Sequence, residues 1–212
     1  ALMTDGEKRP LGEEVSKIAQ NIHTAGDLLS DIIANILEIS KIETEKVKVH
    51  LEEFNLKKIV QAVYGLNKVR ALNQGVIFNY GYDAEIPEFI RSDRDKLQRI
   101  LSILIGNAIK FTPNGKSIWL KLKKADGFFV LQLEDQGIGI AKEELSRIFE
   151  PFAQVDDSLS KKYGGTGLGL AIAKAYIEAL HGTITLQDQK PQGSVFVVKL
   201  PLIRVETSEN SR

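Results

Sequence analysis

The sequence predicts an α+β fold: a two-layer α/β sandwich in which a mixed, mostly antiparallel sheet carries helices on one face, preceded by a long helix. Three observations predict it. Near the start, Val15, Ile18, Ile22, Ala25, Leu29, Ile32, Ile36 and Ile39 repeat in steps of three and four, an apolar heptad seam. Later segments alternate apolar and polar residues in adjacent pairs around short turns, so strands arrive as hairpins rather than in βαβ units. Between these regions lies "RILSILIGNAIKFT", 99–112, whose apolar residues recur with the period of a helix.

Each element has its own warrant. The seam, widened by Leu28, Ile33 and Leu37, marks a helix that packs in a bundle, over 15–50; its partners are expected in another chain or a segment not present in this one. The opening residues 1–14 and the tail 204–212 are polar and read as disordered or appended ends. After "SKIETEKVKVHLEEFN" a second domain begins, over 53–203, with a helix from about Leu56 to Asn73, then strand-like "GVIFNY" and "EFIRSD". Ser92 and Asp95 offer a capping box for the next helix, whose apolar face is Leu97, Ile100, Leu101, Leu104, Ala108 and Phe111. "KSIWLKLKK" and "GFFVLQLED" form one hairpin around "ADG", and "TITLQ" and "SVFVVKL" another around "DQKPQG". A last helix, "GLAIAKAYIEALHG", is stopped by Gly182.

Composition narrows the function classes. The 212 residues contain no Cys, which excludes disulfides and thiolate metal sites and suits a cytoplasmic location. Lys and Arg number 28, as do Asp and Glu, so no global basic field points to nucleic acid or an anionic membrane. No apolar run approaches the ~18 residues of a membrane span, and the first residues lack a signal-peptide core. Partners must be sought in local sites.

Two glycine clusters offer such a site. In "YGGTGLGLAIAK", Gly164 and Gly169 bracket four residues, but Leu170 and Ala171 stand where a P-loop needs Lys and Ser or Thr. No G-x-G-x-x-G occurs: Gly165 and Gly167 lead to Leu170, and Gly137 and Gly139 to Lys142. The physics of anion binding survives, because glycines let N–H groups approach an anion and the helix starting near Leu168 points its positive end there. In "EDQGIGI" a strand ends on Asp135, a carboxylate able to accept from an amino group. Taken singly, each cluster is better read as a tight turn or a glycine-softened helix entry.

Asn107 with Lys110 on a helix, then "DQGIG", "RIFEPF" and "GGTGLGLA", in this order, resemble the ATP-binding domain of sensor histidine kinases, members of the GHKL ATPases with the Bergerat fold. The match covers roughly Glu53 to Leu202, and "ILEISKIETEKV" resembles the end of the second helix of the kinase dimerisation hairpin. The resemblance implies ATP and Mg2+ as cofactors. Asn107 is then the magnesium ligand and Lys110 reaches the phosphates; these two are the catalytic candidates. Asp135 accepts from the adenine amino group, and Gly137 and Gly139 let the base lie close, with Ile140 beside them. Phe149 and Phe152 flank a lid, "AQVDDSLSKKYGG", in which Lys161 or Lys162 stands near the γ-phosphate, with Tyr163 alongside. Gly165, Thr166, Gly167, Leu168 and Gly169 wrap the phosphates.

Two departures from the family pattern stand out. Where the family carries a second Asn, one turn before the magnesium ligand, this chain has Ile103; its i, i+4, i+7 relation to Asn107 and Lys110 turns it toward the nucleotide site. An Ile cannot act as the general base that a Glu supplies in gyrase-type relatives. The second departure is the acceptor, because no His-Glu-x-x-x-Pro pattern occurs and His23, His50 and His181 fit none.

The resemblance thus implies transfer of the γ-phosphate of Mg·ATP to a His on a helix outside this chain, for relay to a response-regulator receiver domain. It also implies a homodimer through the first helix, with no nucleic-acid or membrane contact by this segment, in a parent that is either soluble or membrane-anchored. The alternatives are a degenerate dimerising regulator and a nucleotide-driven clamp.

Overall fold

A computed structural model describes residues 11–45, 47–153, 165–188 and 192–203. Helix α1 spans Leu11–Thr44. It is longer at its start than the seam alone predicts, and it ends before the 47–50 segment, which is irregular. Most of its seam lies open: Val15, Ile18, Ile22, Leu29 and Ile36 are exposed, while Ile39 is buried.

The second domain holds a five-stranded sheet in the order β2-β4-β5-β7-β6. Its strands are β2 Ile77–Tyr82, β4 Ser117–Ala125, β5 Phe128–Asp135, β6 Thr183–Asp188 and β7 Ser194–Pro201. The two expected hairpins, β4–β5 and β6–β7, are antiparallel, and so is β5–β7. The mixed character comes from β2, which pairs parallel with β4 from Ile77↔Ser117 to Tyr82↔Leu122. That pair is joined by a crossover, contrary to the reading that every strand arrives in a hairpin; a parallel pair cannot be closed by a tight turn.

Alternation along the strands decides which face is covered. Ile118, Leu120 and Leu122 of β4, Leu131 and Leu133 of β5, and Phe196, Val198 and Leu200 of β7 share one core with the helices. Helix α2 (Leu56–Asn73), helix α3 (Arg94–Phe111) and helix α4 (Gly169–Ala179) form the second layer, with α3 in the middle touching both neighbours. Seven α3 residues are buried: Leu97, Ile100, Leu101, Leu104, Ile105, Ala108 and Ile109. At roughly 1.5–3 kcal/mol for each large side chain, this face fixes α3 against the sheet.

Two local features differ from the sequence reading. A separate two-stranded sheet pairs β1 (Glu52–Asn55) with β3 (Phe89–Ser92), so Ser92 is a strand residue facing Glu52. The α3 cap is therefore Asp93, whose Oδ1 accepts from the Lys96 N–H at 3.0 Å. At the end of α4, His181 takes the left-handed conformation, φ 58°, and Gly182 donates its N–H to Ile177 O at 2.8 Å. Gly182 is needed for space, because a Cβ there would lie 2.5 Å from Lys199 O on β7.

Asp93 also ties the segment after α1 to α3. Its Oδ2 accepts from the His50 N–H at 2.9 Å and from Lys96 Nζ at 2.7 Å. Burial alone would raise this carboxyl, but the hydrogen bonds from the Lys96 side chain and the His50 and Lys96 N–H groups win and hold it below the usual range. Its stabilisation is thus present above pH ~4 and lost on acidification through the lowered pKa. Replacing Asp93 with Ala removes a cap and leaves buried donors unpaired, so urea unfolding at pH 7 should show a loss of about 2–3 kcal/mol. A loss under about 0.5 kcal/mol would contradict this role for Asp93.

Candidate functional site

The site lies along the exposed edge of α3. The same helical geometry that buries Leu104, Ala108 and Ile109 leaves Asn107 and Lys110 half-buried, within one turn of each other. Lys110 is in the last turn, and burial pushes its ammonium below the usual lysine value. Its Nζ lies 4.7 Å from the centroid of the Phe111 ring and against Gly165, where an added Cβ would fall 2.6 Å away. The φ of Gly165 is +126°, a conformation other residues rarely adopt. The lysine and the glycine turn, 55 positions apart in sequence, thus meet.

The turn continues into α4. Thr166 Oγ1 accepts from the Leu168 N–H at 3.2 Å, and the Leu168 side chain is fully buried. Gly167, φ +71°, lies so close to Phe152 and Ala153 that a Cβ there would sit 2.8 Å from Ala153 O. The first N–H groups of α4 have no partner within the helix, giving a positive end beside Lys110.

At the other end of the site, Asp135 closes β5 and is 5 % exposed. Its Oδ1 accepts from the Gly137 N–H at 2.8 Å, and the Ser194 N–H also donates to this carboxyl. Burial pushes Asp135 up to about 6, and those two donors oppose the rise. Gly137 is tight on two sides: a Cβ would lie 2.6 Å from Asp135 Oδ1 and 2.7 Å from Phe111 O. Ile138 donates its N–H to the same Phe111 carbonyl at 3.2 Å, fastening the loop after Asp135 to the end of α3.

Gly139 has φ +76° and faces Gly193, while Ile140 packs partly buried on the main core. Phe149 also packs on that core, whereas Phe152 is 64 % exposed with φ 63°. Lys161, Lys162 and Tyr163 lie outside the described residues.

Ser194 escaped the sequence reading. It is the ladder partner of Asp135 on β7, buried, and its N–H helps hold the carboxylate. The available signal was the Gly-Ser step at the start of the last strand, which an antiparallel register places opposite the end of β5.

Ile103 packs, partly buried, with Ile39, Leu168, Ala171 and Ile172, and its Cγ2 would lie 3.2 Å from a Cβ at Gly169. The aliphatic side chain thus fills a contact between α1, α3 and the start of α4, next to the glycine turn.

As for a metal, no group of three or more His, Cys, Asp or Glu that could hold one exists among the described residues. An ion here would have the Asn107 carboxamide oxygen as its protein ligand and take the rest of its shell from water and phosphate. That fits the habit of magnesium.

A buried acid at a strand end, a helix edge with an amide and an ammonium, and a glycine turn leading into a helix are brought together around the end of α3. The model for histidine kinase-, DNA gyrase B- and HSP90-like ATPases matches residues 92–204, and the chain belongs to that family. Its relatives include the sensory/regulatory protein RpfC of Xanthomonas campestris pv. campestris, 30 % identical over 95 % of this chain and 28 % of the relative. The autoinducer 2 sensor kinase/phosphatase LuxQ of Vibrio cholerae is 32 % identical over 94 % of this chain and 24 % of its own length. The sensor histidine kinase RcsC of Escherichia coli is 30 % identical over 92 % of this chain and 20 % of its own length. The chain thus spans only a fifth to just over a quarter of these relatives.

Among solved structures, full-length ShkA in complex with AMPPNP superposes with a TM-score of 0.78 at 26 % identity, covering 93 % of this chain and 41 % of that one. The histidine kinase AdeS of Acinetobacter baumannii gives 0.68 at 25 % identity, covering 94 % and 89 %. The mixed, mostly antiparallel sheet with its helical layer is the fold of histidine kinase catalytic domains.

Two outcomes are expected. Gly165→Ala forces a side chain into φ +126° beside Lys110, which should cost roughly 1–2 kcal/mol in urea unfolding. Unchanged stability would show that the turn relaxes freely. For Asp135 the sign follows from its raised pKa. Unfolded, it titrates near ~3.9, so between pH ~4 and ~6 the folded chain holds the extra proton and this group's contribution falls as pH rises. Relative to wild type, Asp135→Asn should therefore gain stability from pH 4.5 to 7.5; a gap constant with pH would refute the raised pKa.

Proposed function

We propose that residues 53–203 are the ATP-binding catalytic domain of a sensor histidine kinase. In this reading the domain transfers the γ-phosphoryl group of Mg·ATP to a His on a helix outside the chain, for relay to the receiver domain of a response regulator. The observation that carries the proposal is the meeting of the Lys110 ammonium with the Gly165 turn, which brings a cation to the segment leading into α4.

Asp135 would accept from the adenine amino group, and its carboxylate is already oriented by the Gly137 and Ser194 N–H groups. Lys110 would hold the phosphates and stabilise the charge that develops in transfer, while the α4 N–H groups fix their direction. Asn107 would hold magnesium, which when bound screens the phosphate charge. Lys161, Lys162 and Tyr163 would complete the phosphate side.

Helix α1 supports the rest of the reading. Its exposed seam, with Ile22 68 % and Leu29 58 % accessible, suits a dimeric helical bundle that also contains the acceptor helix. No helix among the described residues is long and apolar enough to cross a membrane.

With the acceptor helix supplied in trans, the chain should form acid-labile phosphohistidine on that helix under saturating Mg·ATP, and no label on His23, His50 or His181. Absence of any transfer would remove the kinase reading. Steady-state hydrolysis without an acceptor should be negligible, because Ile103 cannot activate water; sustained turnover would favour a nucleotide-driven clamp instead.

A further inference from the structure

The contacts of α1 with the catalytic domain are concentrated at one place, the beginning of α4. Ile39, a buried residue of α1, shares a cluster with Leu168, Ala171 and Ile172, and Ile42, Ile103 and Tyr176 pack on it. A polar network closes over this cluster. Glu38 accepts from Arg99 Nη2 at 3.0 Å and Nε at 3.3 Å, and its other oxygen accepts from the Tyr176 hydroxyl. Arg99 also donates to the Asn35 side chain, and Lys96 Nζ lies 5.4 Å from the Tyr176 ring centroid.

Leu168 links this docking surface to the phosphate turn. Its side chain belongs to the cluster, while its N–H is held by Thr166 Oγ1 and its carbonyl accepts from Ile172, setting the first turn of α4. Ile103 touches Gly169 from the other side. Arg99, Ile103, Asn107 and Lys110 follow one another along one side of α3, so a single helix joins the α1 contact to the metal and phosphate groups.

We propose that the end of α1 is a positioning element for the nucleotide phosphates, with Glu38 and Ile39 acting through Ile103 and Leu168 to hold the Thr166–Gly169 turn in its binding shape. The proposal rests on the nucleotide reading above. Docking of α1 orders the turn in advance, so less entropy is lost when phosphates bind, and by linkage phosphate binding strengthens the docking. The adenine end at Asp135 lies outside this cluster and does not share the effect.

The test is calorimetry on the full chain with two ligands, Mg·ATP and adenosine, for wild type, Ile39→Ala and Glu38→Gln. Ile39→Ala removes packing, and Glu38→Gln breaks the ion pair while keeping the side-chain shape, so the second variant carries the test if the first folds poorly. We expect Mg·ATP affinity to fall roughly fivefold or more while adenosine affinity stays within about twofold. Equal losses for both ligands, or no loss for either, would overturn the positioning role while leaving the nucleotide reading intact. A wild-type chain that binds neither ligand would overturn both.

Discussion

The site depends on how firmly α3 is fixed. Its buried face, from Leu97 to Ile109, is wedged between the sheet and the flanking helices α2 and α4. That packing sets the rotation of the helix, and the rotation decides where Asn107 and Lys110 stand. A helix with an apolar stripe covering about half of its circumference has little freedom to turn without exposing Leu or Ile. The two polar residues can therefore sit in a partly apolar setting and keep one direction. The end of the same helix anchors the other half of the site, because the Phe111 carbonyl receives Ile138 and closes against Gly137.

Charge is distributed along the site with opposite consequences at its two ends. Asp135 is buried and its carboxyl is pushed up, while Lys110 is half-buried and its ammonium is pushed down. In the proposed reading, an amino group at one end and anionic oxygens at the other would each favour the charged form of the group they meet. Asp93, by contrast, is a buried acid surrounded by enough donors to stay ionised, and its position holds α3 to the segment after α1.

Much of this was legible in the sequence, for physical reasons that can be named. The periodicity of 99–112 and the alternation of the two hairpins are long enough to specify type and face, and the helix over Leu56–Asn73 was bounded correctly. β3 was read as strand-like in "EFIRSD", but β1 and its pairing with β3 were not seen, because a four-residue strand carries too little alternation to distinguish from loop. The cap of α3 was read one residue early for the same reason: Ser92 is a good cap by type, but its place in β3 commits it to a ladder. In the candidate site, Asp135, Lys110 and the glycine turn were picked out by the family resemblance, whereas Ser194 became visible only through strand register. The packing of Ile103 with Ile39 was not legible either, because it depends on where α1 packs, which no local pattern encodes.

The central claim is that the Asn107–Lys110 edge of α3 and the Gly165 turn form the phosphate end of one site whose base end is Asp135. A crystal structure of the chain with Mn2+ and a non-hydrolysable ATP analogue tests it most directly, because the metal is located independently by its anomalous signal. The account predicts the Mn2+ peak bonded to Asn107 Oδ1, phosphate oxygens against Lys110 and the start of α4, and the adenine amino group on Asp135. A metal peak away from Asn107, or a base bound elsewhere than Asp135, would contradict it.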